Sequence, residues 1–204
     1  AHFLEHTLVH PEIIYQPIMK RGANVNASYA TPSFSLNYSG AVAKADNYLA
    51  AKSFKLNGLS ALGGVTSGRE VGSSAYQSEN HALGFAIRGS DQLLELKLGL
   101  QDIPLQGFPN QRMDMTRNRS EQINLHYRQQ LEWGNVDARI YHEHTQHRMN
   151  FSDDKQYWYG NAPGMPMETA GHNTGAVLKA DWVLSERDKL ILGSELQRYR
   201  MNDW

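Results

Sequence analysis

The sequence contains no cysteine, which excludes disulfides, thiolate metal sites and cysteine nucleophiles. No run of about 18 apolar residues occurs, so no transmembrane helix is expected. Charge of neither sign dominates: 20 Lys+Arg stand against 21 Asp+Glu, a formal net charge of -1. Nothing electrostatic therefore points to nucleic acid. The opening AHFLEHTLVH has neither a basic n-region nor an apolar h-region and does not read as a secretory signal. It also lacks a methionine, so the chain is expected to be a mature form or a piece of something longer. The 204 residues suffice for one domain of ordinary size.

What is present from about residue 24 onward is a period of two. Leu94, Leu96, Leu98 and Leu100 alternate with Glu95, Lys97 and Gly99. Leu178, Ala180, Trp182 and Leu184 alternate with Lys179 and Asp181, and the same pattern runs through Phe34, Leu36, Tyr38, through Leu83, Phe85, Ile87 and through Ile123, Leu125, Tyr127. Alternation gives each strand one apolar and one polar face. The fold class is all-β and antiparallel. Compact turns at 89–91 (GSD), 132–135 (EWGN) and 185–188 (SERD) alternate with longer segments at roughly 44–76, 102–117 and 148–174. Tight turns at one end and long loops at the other are the rhythm of a transmembrane β-barrel, with short periplasmic turns and long extracellular loops. Tyr127, Trp133, Trp182 and Tyr199 fall near expected strand ends, where interfacial aromatics belong. A soluble β-sandwich also alternates, but its loops show no such rhythm. About eight strands are expected, enough for a small barrel or one arc of a large one. Residues 1–21 fit no strand pattern and are expected to be irregular.

That leading segment contains HFLEH, His2 to His6. Two histidines four apart on a helix, with a glutamate to activate water, form the zinc motif of one peptidase class. A second glutamate ligand is needed about 75 residues on. Glu70 and Glu79 are only approximately placed, and Pro11 would stop the helix early. A zinc metallopeptidase is kept as a minor alternative.

Methionine placement is the other chemical signal. Met113 and Met115 sit in QRMDMT, Met149 in HRMNF, and Met165 and Met167 in GMPMET, all in or beside expected long loops. A buried methionine is ordinarily core filler; a polar loop has no core to fill. Thioether sulfur prefers Cu(I), and imidazole suits copper in either oxidation state. If Val136, Ala138 and Ile140 face lipid, then Arg139, Tyr141 and Glu143 face the lumen, and continuing the phase turns His147 and Met149 inward together. His142 and His144 fall on the opposite face. Two ligands fall short of a site, so further donors must come from elsewhere. Asp153 and Asp154 read as a solvated loop, and GNAPG at 160–164 as turn chemistry. No catalytic signature stands out, and no enzymatic activity is expected.

Four stretches, LELKLGLQDIPLQGFPNQRMDMTRNRSEQINLHYR, YHEHTQHRMNF, DDKQYWYGNAPGMPMETAG and LKADWVLSERDKL, together resemble the TonB-dependent copper receptors of the bacterial outer membrane. They cover most of residues 76–204; from 22 to 75 the likeness is looser. The resemblance implies a 22-stranded barrel closed by an N-terminal plug, energised through TonB. It also implies a copper site shared between a Cys-x-x-x-Met pair of the plug and a His-x-Met pair of the barrel. Only the second has a match here, at His147 and Met149. Met113, Met115, Met165 and Met167 would suit a track that hands copper inward. No plug, TonB box or Cys-x-x-x-Met occurs in the sequence, so residues 22–204 are expected to be a barrel fragment. Copper is the implied cargo, and TonB and outer-membrane lipid are the implied partners. A small closed barrel with a structural or adhesive role is the alternative.

Overall fold

The computed structural model describes residues 6–16, 20–54, 58–59, 65–152, 154–155, 158–159 and 162–204. In chain order the strands are β1 (His6–Gln16), β2 (Lys20–Ala30), β3 (Phe34–Ala45), β4 (Gly58–Leu59), β5 (Val65–Thr66), β6 (Tyr76–Arg88) and β7 (Gln92–Gln106). They continue as β8 (Asp114–Leu131), β9 (Gly134–Asn150), β10 (Trp158–Tyr159), β11 (Ala162–Pro163), β12 (Met167–Val183) and β13 (Lys189–Asp203). Nine of them form one sheet in the order β1-β2-β3-β6-β7-β8-β9-β12-β13, every pair antiparallel. The pairs β4-β5 and β10-β11 are two-residue ribbons inside the loops. The sheet is open, with β1 and β13 at its edges.

Two sequence expectations need correction here. The segment expected to be irregular holds a strand, His6–Gln16, which pairs along its length with Lys20–Ala30 and brings the expected eight or so to nine. Pro11 and the doublets Leu8–Val9 and Ile13–Ile14 hide the alternation. An edge strand tolerates a proline, since it needs hydrogen-bond partners on one side only. The segment between Ala45 and Tyr76 has the expected length, but the other two long loops are shorter than expected. β8, β9 and β12 run for 18, 17 and 17 residues, well past the ten or so that cross a membrane. The link between β7 and β8 thus shrinks to residues 107–113.

Register sorts the side chains onto two faces. On one, Phe34, Leu36 and Tyr38 stand opposite Ile87, Phe85 and Leu83, which stand opposite Leu94, Leu96 and Leu98. The rows continue through Tyr127, Leu125 and Ile123 to Ala138 and Ile140, then to Leu178 and Ala176. No second layer covers them: Leu125 is 39% exposed, Ile140 59% and Leu178 57%. The buried apolar residues are only Ala30, Ala45, Ala86, Met115 and Ala170 among those described. A sandwich would bury this face, so the sandwich reading fails. The other face carries a polar network, with His126 between Glu95 at 3.0 Å and Asp137 at 2.7 Å, and Gln122 donating to Glu143 at 3.0 Å. Trp133 and Trp182 stack at 4.9 Å at the short-turn end. Tyr199, expected among the interfacial aromatics, instead shares the polar face with Asn173 opposite it.

Gly134 opens β9 at φ 148°, a conformation that side chains rarely adopt. A Cβ there would lie 1.8 Å from the Asp181 carbonyl oxygen, whereas one at Gly171 would meet nothing nearer than the Tyr199 hydroxyl at 3.5 Å. Gly134→Ala is expected to destabilise the sheet by roughly 1–3 kcal/mol and Gly171→Ala by much less. Urea unfolding midpoints in detergent compare the two directly, and equal midpoints would contradict the assignment of strain to Gly134.

Candidate functional site

β9 pairs with β12 without a register shift from Gly134 to Met149. Its period of two is therefore unbroken, and His147 and Met149 share the face of Tyr141, Glu143 and Thr145. His142 and His144 lie on the other face, where His144 stacks on His172 with ring centroids 4.2 Å apart. The irregularity lies on β8. Asn118 stands opposite His147, but after a shift between Met115 and Arg117 it is Met115 that stands opposite Met149. The extra residue is Thr116, whose hydroxyl is buried without a hydrogen-bond partner. Without this bulge Thr116 would occupy the position across from Met149. Bulges of this kind commonly re-aim a side chain beside a functional site.

On the other side of β9, Met167 stands opposite Met149 and Thr169 opposite His147. Three methionines from three adjacent strands thus form one cross-strand row, Met115–Met149–Met167, with His147 one step below. Directly opposed residues bring their Cβ atoms to about 5 Å, within thioether reach of a common ion. Met115 is 6% exposed and Met167 41%, so the row runs from buried to open. Met113 lies two residues before Met115 in the loop, and Met165 is 81% exposed just before β12.

His147 differs from the other histidines whose side chains are described. His81 is held by Tyr38 and Glu79, His126 by Glu95 and Asp137, and His142 by Thr174. His144 and His172 stack on each other. Among the described residues, none hydrogen-bonds to the His147 ring. Below it a polar groove of about 500 Å³ opens along the same face, lined in part by Asn118, Ser120, Gln122, Glu143 and Thr145. No cluster of three or more His, Asp or Glu able to hold a metal occurs among the described residues. Glu70 lies in the loop after β5 and Glu79 in β6. His6–Gln16 is strand rather than helix, and His2 and Glu5 fall outside the described residues.

The sequence reading missed what holds the row in place. Asp114, fully buried, precedes Met115. Its carboxylate accepts from the Ser73 hydroxyl at 2.8 Å, the Phe108 amide at 2.8 Å and the Ser152 hydroxyl. Lys155, 8% exposed, stands 3.6 Å from it and donates to the carbonyls of Phe108 at 2.8 Å and Gln111 at 2.7 Å. One buried carboxylate thus ties together the loops that follow β5, β7 and β9. Asp154, expected to be solvated, accepts from Asn47 and from the Ser73 amide, both at 2.8 Å. The one available sequence signal was a charged residue flanked by methionines in RMDM. Asp153 lies outside the described residues.

Removing one partner of a buried ion pair costs about 3 kcal/mol. Asp114→Ala is therefore expected to speed amide exchange in residues 69–75 and 107–113 by roughly a hundredfold, with the strands still protected. Unchanged exchange in those loops would show that the carboxylate does not clamp them.

Comparison with protein families and with curated proteins finds no match. Among solved structures, the copper transporter OprC matches 100% of this chain and 30% of its own, at 18% identity and a TM-score of 0.74. At that identity the likeness is one of fold, and the chain spans less than a third of the protein it matches. The arrangement of these strands is thus similar to that of a β-barrel protein, in a sheet that is not closed.

Proposed function

We propose that this chain is barrel wall of an outer-membrane receptor that captures copper for import. In this reading His147 and Met149 are the barrel's metal ligands, with Met115 and Met167 beside them. The observation that carries it is the cross-strand methionine row with an unengaged imidazole one step below, on the polar face and above a polar groove. Met149 and Met167 lie on the polar face outside the buried core, and only Met115 is buried. Soft thioether donors favour Cu(I) over hard cations, which gives selectivity by ligand type and requires no bond-making chemistry. Met113 and Met165, outside the row, extend the soft donors towards the loops. Release would be driven through TonB acting on a plug domain, which would supply the remaining ligands. The exposed apolar face opposite supports a place in the membrane, since soluble monomers rarely leave so much contiguous apolar surface open.

In the intact receptor, Met149→Ala is expected to abolish tight copper binding, and Met115→Ala or Met167→Ala to weaken it. Metal content of the purified protein reads this directly; unchanged copper stoichiometry in Met149→Ala would sink the proposal. The membrane placement has a separate test. Leu125→Arg, near the middle of the apolar face, is expected to cost about 2–4 kcal/mol in lipid vesicles, and Ala82→Arg, on the polar face, far less. Equal costs in urea unfolding would mean that neither face meets lipid.

A further inference from the structure

Below His147 the polar face is nearly free of formal charge. From β7 to β12, the rows between His147 and Glu143 contain no Asp, Glu, Lys or Arg other than Glu143 itself. His147, Thr145 and Glu143 follow at every second position of β9, with Asn118, Ser120 and Gln122 opposite them on β8. All of these except His147 line the polar groove of about 500 Å³.

Neutral groups alone hold this carboxylate. The Gln122 Nε2 donates to Glu143 Oε1 at 3.0 Å, and the Ser120 hydroxyl donates to the same oxygen at 3.4 Å. Ser120 in turn accepts from the Thr145 hydroxyl at 3.4 Å. No described residue donates to Oε2, and none forms an ion pair with Glu143. On β12 the facing residue is Asn173. The nearest cations on this face of β7 to β9 stand lower. Lys97 is two strands away and one step down, and Arg139 is two steps down, its guanidinium 5.5 Å from the centre of the Tyr141 ring. The acids farther down are paired, by contrast: Glu95 and Asp137 with His126, and Asp181 with Lys179 at 3.2 Å and Lys189 at 2.8 Å.

A carboxylate with one oxygen fixed, the other open and no cation beside it makes a patch of negative potential in an otherwise neutral groove. Its complement is a passing cation. The hydroxyls of Ser120 and Thr145 lie on the way down from His147 and offer further lone pairs. Four residues of strand separate Glu143 from His147, about 13 Å, too far to share one ion. Oxygen donors hold a soft ion less firmly than thioether and imidazole do. Passage needs sites of this kind, favourable enough to enter and weak enough to leave.

We propose that Glu143, with the hydroxyls of Ser120 and Thr145, is a second and weaker cation station. Copper released from His147 and Met149 rests there on its way to the short-turn end. The same carboxylate would turn away a copper complex of net negative charge. This rests on the copper reading above and adds to it the charge of the species that passes.

The test sets copper import by cells carrying the intact receptor beside the copper content of the purified protein, with ascorbate-reduced copper as the probe. Import rates are referred to the amount of receptor in the outer membrane. Glu143→Gln keeps the size of the side chain and removes its charge. Its copper content should match the wild type, while the initial import rate should fall about fivefold or more. Glu143→Asp, which keeps the charge, should recover most of the rate, and Glu143→Lys should stop import with capture intact. A glutamine variant that imports at the wild-type rate would overturn the proposal. So would an aspartate variant as slow as the glutamine one, because shape rather than charge would then set the rate. Loss of bound copper in Glu143→Gln would overturn it as well, by making Glu143 part of the capture site. A wild type that imports no copper overturns the copper reading itself; one that imports alongside an equally active glutamine variant overturns this inference alone.

Discussion

The structure depends on one constraint: an unbroken antiparallel ladder in which every residue's facing is set by a period of two. A sheet with no second layer has no core to correct a mistake. A slip of one residue would move Leu94, Leu96 and Leu98 to the polar face and Glu95 and Lys97 to the apolar one. Such an error is costly wherever one face must meet hydrocarbon. The ladder from β3 to β13 avoids it by holding parity across strands of 12 to 18 residues, with shifts only at Gln77/Glu79 and Met115/Arg117.

Those two shifts both lie at the long-loop end, where strands leave the apolar region and parity no longer has to be kept. There the chain departs from regularity, and there the candidate chemistry collects. The bulge at Thr116 puts a thioether rather than a hydroxyl across from Met149. The Asp114 carboxylate next to it draws three loops over the row, and burying Lys155 beside it balances the charge. A free carboxylate could not remain fully buried without such partners. The site is thus a local break in the ladder stabilised by a polar clamp, rather than a continuation of the barrel pattern.

The same height along the strands organises the opposite face. Where the polar face offers sulfur and imidazole, the outer one offers guanidinium and stacked imidazoles above a belt of leucine and isoleucine. Neighbouring residues of one strand serve different surfaces: Arg148 belongs to the face of the apolar rows and Met149 to the methionine row. Two adjacent positions can differ so completely in chemistry because the pleat sends them in opposite directions.

The sequence by itself determined the all-β class, the two faces, the positions of the tight turns and the shared facing of His147 and Met149. Each follows from local alternation within one strand, which is written into consecutive residues. It did not reveal β1, where doublets and a proline hide the alternation, nor the true strand lengths, because above the apolar band neither face needs to be hydrophobic. Only the tertiary structure decided that Met115 and Met167 flank Met149, that Thr116 is the extra residue and that Asp114 is the clamp. The clamp, for instance, rests on contacts between distant positions, Ser73 with Asp114 being 41 apart and Ser73 with Asp154 81 apart. A register or a loop contact at that separation is fixed by the balance of all the pairings in the sheet, and no short window of sequence contains it.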